Sequence, residues 1–81
     1  MSIRIHGINQ MARGCKITFD PGGPAALYYL YKSVALKGWG ADSMGWVEGT
    51  DLVMVLVEGA KKSQLTEHLK GDPEFDFSKY K

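Results

Sequence analysis

Cysteine, proline and long apolar runs are all scarce in this chain, which has one Cys and three Pro among 81 residues. A single cysteine excludes an intrachain disulfide framework and fits a reducing compartment, so a cytoplasmic location is expected. With tyrosine counted as polar, the longest uninterrupted apolar run, residues 52–57, is too short to span a bilayer as a helix, and no membrane association is expected. The opening residues MSIRIHG lack the apolar core of a signal peptide. An excess of one charge is missing as well: 10 Lys+Arg face 9 Asp+Glu. That balance argues against a nucleic-acid binder driven by bulk charge. One cysteine and two histidines give no zinc spacing. There is neither a G-x-G-x-x-G run nor a glycine-lysine-Ser/Thr phosphate loop, so no metal or cofactor is expected.

What remains is an ordinary globular composition, 44% hydrophobic and 23% charged, at a length that fits a single domain over 1–81. The charge is unevenly spread, with residues 1–40 net positive and residues 41–81 net negative. Such asymmetry either marks a basic site or is the chance scatter of a small domain.

Hydrophobic periodicity sets the elements. Ile3 and Ile5 alternate with Arg4 and His6, and Ile17 and Phe19 with Lys16, Thr18 and Asp20. Both segments read as half-buried strands, joined by a loop over residues 7–14 into a hairpin. Pro24 suits the first position of a helix that runs to Leu36, with Leu27, Leu30, Tyr31 and Val34 on one face and Gly38 as its stop. Residues 39–43 read as a loop and residues 44–48 as a strand. Gly49-Thr50 then reads as a two-residue hairpin link with glycine first. Residues 52–57 are the clearest strand, rich in β-branched side chains. A second helix is expected over 60–70, closed by Gly71 and Pro73. The tail 72–81 reads as a short last strand or a frayed end. Strands and helices in this order predict a two-layer α/β sandwich, an antiparallel sheet with two helices on one face.

The run Gly45-Trp46-Val47-Glu48-Gly49, the valine-rich strand ending Val57-Glu58-Gly59 and the helix after it resemble the acylphosphatase family. The resemblance covers roughly residues 24–70 and implies a ferredoxin-like fold. The family carries a phosphate loop ending in a catalytic arginine where this chain has Asp20-Pro21-Gly22-Gly23-Pro24. Its catalytic asparagine falls where this chain has Gly49. Both catalytic positions are therefore unfilled, and the resemblance implies the architecture without the activity. An acylphosphatase built on this chain would need Arg13 or Lys16 to bind phosphate and Asn9 to orient water.

Other chemistry is sparse. Gly22-Gly23 before a helix reads as an anion cradle or as a plain capping turn. Cys15 and His6 on neighbouring strands offer a nucleophile and a base with no evident third group. The alternative for Cys15 is a small buried hydrophobe. Tyr28, Tyr29 and Tyr31 cannot share one helix face. Tyr31 fits the core stripe, while Tyr28 and Lys32 lie four apart on a more exposed face suited to an interface.

The strand 52–57 is the most informative feature. The outer face of a two-layer sandwich meets water, so its strands should alternate apolar and polar. Here Leu52, Met54 and Leu56 take one face, and Val53, Val55 and Val57 the other. One set faces away from the helices and needs a cover: a second copy, a protein partner or the tail. Val53, Val55 and Val57, with Tyr28, Lys32, Arg13 and Lys16, are the expected contact residues. The function expected is a small non-enzymatic interaction module, an inhibitor or regulatory subunit that binds a protein partner or itself. The alternatives are an acylphosphatase, or a nucleic-acid binder using Arg4, Arg13, Lys16 and the tyrosines.

Overall fold

The computed structural model describes residues 3–80. Seven elements follow one another: β1 (Ile3–Gln10), β2 (Gly14–Asp20), α1 (Pro24–Ala35), β3 (Gly40–Trp46), β4 (Val53–Glu58), α2 (Lys62–Lys70) and the two-residue β5 (Phe75–Asp76). They form one five-stranded sheet in the order β3-β4-β2-β1-β5.

The sandwich is as expected, but the sheet is mixed. β1–β2, β2–β4 and β3–β4 are antiparallel, whereas β5 returns from α2 to lie parallel to β1. The parallel pair follows from connectivity. A strand reached through a helix runs in the direction of the strand before that helix, and β5 therefore matches β4, which β1 also matches.

β1 extends past its expected end. Ile3, Ile5 and Ile8 are all buried although they fall out of a two-residue phase. A bulge between Ile5 and Gly7 inserts His6 as an extra residue and turns Ile8 back to the core. The hairpin then needs only residues 11–13, closed by the Met11 N–H donating to Gly14 O at 2.7 Å.

α1 begins at Pro24 as read from the sequence. Of the two readings of Gly22-Gly23 the structure shows the turn: the Gly22 N–H donates to the Asp20 carboxylate at 3.1 Å. At its other end Gly38 (φ +78°) allows a reversal. There the Gly38 N–H bonds Ala35 O and the Trp39 N–H bonds Val34 O, the two bonds of a Schellman ending.

β3 starts four residues earlier than its apolar content suggests. Gly40, Ala41, Asp42 and Ser43 have weak strand preference, yet pairing with β4 carries them as an edge strand with a bulge between Ser43 and Gly45. The β3–β4 link is longer than two residues. The Val47 N–H bonds Leu52 O at 2.9 Å, and the Thr50 N–H bonds Val47 O at 3.1 Å, so Gly49 (φ +80°) takes the third position of its turn.

Both helices cover the same sheet face. Ile3, Ile5, Ile8, Cys15, Ile17, Phe19, Val55 and Val57 from the sheet meet Ala26, Leu30, Val34, Leu65 and Leu69 from the helices in one core. The tail joins that side: Phe75 is buried, and Phe77 and Tyr80 pack against the core.

Candidate functional site

The register of β4 decides what the free sheet face presents. Val57 lies opposite Cys15, Val55 opposite Ile17 and Val53 opposite Phe19. Side chains of directly paired residues share a face, so all three valines point to the helices. Val55 and Val57 are 0% exposed. This corrects the expectation that the valines form the contact surface; the outward set is Met54 and Leu56, both half-buried.

Around them the free face is laid out in rows. Asn9, Lys16, Leu56 and Asp42 form one row across β1, β2, β4 and β3. Gly7, Thr18, Met54 and Gly45 form the next, with Met44 as the extra residue of the β3 bulge. Met44 is 45% exposed; Trp46, 72% exposed at the end of the same edge strand, pairs with Val53 and so belongs to the other face. The buried apolar side chains of the helices and the tail belong to the core on the other side.

The remaining expected contact residues are dispersed. Arg13 sits in the β1–β2 turn at one end of the sheet, with its guanidinium 3.2 Å from the Glu58 carboxylate. Tyr28 and Lys32 lie together on the exposed flank of α1, the ammonium 5.6 Å from the ring centre. Lys16 alone belongs to the free sheet face. Arg4 stands between Asp20 and Asp76 in its strand row, so the basic side chains of the first half are not gathered into one patch.

Cys15 and His6 are not brought together. Cys15 pairs with Gln10, while His6 sits in the bulge between Ile5 and Gly7, well along the strand. The Cys15 thiol is fully buried, 3.3 Å from Ala60 O, and burial pushes its pKa up, against a smaller downward pull from Lys62. A buried thiol held in its protonated form is a poor nucleophile.

A polar cluster lies between the two helices. His68 Nε2 lies 3.1 Å from both Ser33 Oγ and Ser33 O, tying α2 to α1. Trp39 meets the imidazole edge-on at 5.7 Å between ring centres. Beside them the Tyr29 hydroxyl donates to the Asp72 carboxylate at 2.6 Å. That bond, with burial adding to it, pushes the Tyr29 pKa up to about 12. An open groove of about 830 Å³ runs past Lys37, Trp39, Glu67, His68 and Asp72. The Ser33 hydroxyl next to the imidazole resembles a nucleophile–base pair. Asp72, a carboxylate of the groove lining, is engaged by Tyr29, and Ser33 is only 8% exposed. The arrangement serves as a polar clamp between helices. The available signal was the position of His68 beside Leu65 and Leu69 on the buried stripe of α2.

No group of three or more His, Cys, Asp or Glu side chains is placed to hold a metal ion among the described residues, and no helix there is long and apolar enough to cross a membrane. Neither family models nor curated proteins nor solved structures contain a match to this chain.

Proposed function

We propose that this protein is a non-enzymatic interaction module whose working surface is the free face of the sheet, centred on Met54 and Leu56. One observation carries the reading: β4 is apolar on both faces, while the helices and the tail are all spent on the side of its valines. A sheet face that only meets water has no need of Met54 and Leu56 in its middle. The class is that of a small inhibitor or regulatory subunit acting by contact in a reducing, cytoplasmic setting, to which a single buried thiol is suited.

In architecture we read β2-α1-β3-β4-α2-β5 as a ferredoxin-like unit with β1 inserted between β2 and β5. The acylphosphatase resemblance is carried at that level alone. The turn before α1 is closed on the Asp20 carboxylate, and Gly49 offers no side chain to position water. The nucleic-acid alternative loses support from the pairing of Arg13 with Glu58 and the flanking of Arg4 by two aspartates.

The test is the double substitution Met54→Thr with Leu56→Thr. Threonine suits a strand and its hydroxyl is tolerated on a wet face. Circular dichroism should match wild type and melting should stay cooperative, while association of the protein, with itself or with a purified partner, is lost. Association that survives both substitutions overturns the assignment of this face, and so does a wild-type chain that associates with nothing.

A further inference from the structure

The free face carries more than an apolar centre. In the row through Leu56, Lys16 lies on the β2 side and Asp42 on the β3 side. Strands are about 4.8 Å apart, so the two Cα positions are separated by roughly 10 Å, with Leu56 between them. Among the described residues the two form no ion pair with each other, and neither has another charged partner. The row reads base, apolar, acid, a pattern that changes sign about β4.

Such a pattern is self-complementary. A two-fold axis in the plane between two stacked sheets, running along β4, lays β4 over β4 and exchanges β2 with β3. Leu56 then meets Leu56 of the second copy and Met54 meets Met54. Lys16 faces Asp42 of the second copy, and Asp42 faces Lys16, so one interface holds the charge pair twice. In the neighbouring row, Thr18 faces the Met44–Gly45 bulge across the same axis. The two Lys16–Asp42 pairs thus flank the apolar strip, the layout of an interface with a dry centre and a wet rim. Sheets packed face to face with nearly aligned strands are an ordinary sandwich geometry, and the twist of each sheet tilts them by about 30°.

We infer that the partner of this face is a second copy of the same chain, stacked sheet on sheet about a two-fold axis along β4 and registered by reciprocal Lys16–Asp42 pairs. The inference rests on the assignment of the free face made above and adds the identity of the occupant. A foreign partner would need acid opposite Lys16 and base opposite Asp42 around an apolar centre. The chain already presents that surface.

Charge reversal tests this directly by sedimentation over roughly 10 µM to 1 mM, the range of weak interfaces of small area. Wild type should self-associate to a dimer. Lys16→Asp places acid against acid twice, and Asp42→Lys places base against base twice; each should weaken dimerisation at least tenfold. Mixed in equal amounts, the two variants should form a heterodimer, because every contact across the axis is again opposite in sign. The doubly exchanged chain should recover wild-type association. A mixture that stays monomeric overturns the proposal, as does a wild-type protein monomeric throughout the range. If wild type is monomeric yet Met54→Thr with Leu56→Thr abolishes binding to a purified partner, the second copy is excluded and the interaction face stands.

Discussion

At the residue scale, two glycines are needed for different reasons. Gly14 opens β2 against the start of the β4 pairing, and a Cβ there would overlap the Val57 carbonyl oxygen and approach the Glu58 Cα to 2.9 Å. Backbone cannot swing aside as a side-chain tip can. Gly14→Ala should therefore cost about 1–3 kcal/mol, the usual scale of overpacking. Gly49 has open space around it, and only its φ of +80° is demanding. Gly49→Val should cost at least about 1 kcal/mol through backbone strain alone. Urea midpoints for the two variants check both, and an unchanged Gly14→Ala midpoint would show that the β2–β4 contact is looser than drawn. Tyr29 adds a pH dependence. Its pKa rises from 10.0 to about 12 on folding, so the folded state holds the phenol proton more tightly than the unfolded chain does. The contribution is present in full below pH 10 and fades as pH rises from about 10 to about 12. The difference in melting temperature between wild type and Tyr29→Phe should shrink across that window; a constant difference would mean that the Asp72 bond does not hold the proton.

At the element scale, β4 shows what a strand's own pattern leaves open. Six apolar residues in a row announce a strand but not which side is inside, because both alternating sets are equally apolar. The answer lay in the neighbour. Lys16 and Thr18 alternate with Cys15, Ile17 and Phe19, and the register with β2 puts Leu56 beside Lys16 and Val55 beside Ile17. β3 was obscured for a related reason: an edge strand takes its shape from pairing and carries little apolar content. The first helix was legible because Pro24 and Gly38 act locally and owe nothing to the sheet. His68 was not, since a clamp between helices depends on how they dock. The two faces of β4 should answer the same substitution differently. Val55→Thr places a hydroxyl among buried carbons with no partner in reach and should cost about 1–3 kcal/mol. Leu56→Thr, on the free face, should cost less than half as much by the same denaturant measurement on the dilute, monomeric chain. Equal losses would show that the face is covered within the chain.

At the scale of the whole molecule, the tail is part of the fold. A domain of 81 residues has a small stability margin, about 5 kcal/mol or somewhat more. The segment after α2 contributes heavily to it. Phe75 is 5% exposed, its ring 5.7 Å from that of Tyr29, and the Ile3 N–H donates to Glu74 O at 2.8 Å. Phe77 and Tyr80 pack edge to face at 5.3 Å, and the Lys70 ammonium lies over both rings. β5 also protects the edge of β1, whose buried Ile3 and Ile5 anchor the far side of the core. Removing Phe75 alone takes away a fully packed aromatic, worth about 3–5 kcal/mol. A chain ending at Gly71 loses that ring, the Asp72 anchor of Tyr29 and the cover over β1 together. It should be largely unfolded at room temperature, with a collapsed near-ultraviolet dichroism signal. The milder variant Tyr80→Ala should remain folded, with a melting temperature several degrees below wild type. A truncated chain that keeps a sharp thermal transition near the wild-type temperature would show that the core is complete without the last strand.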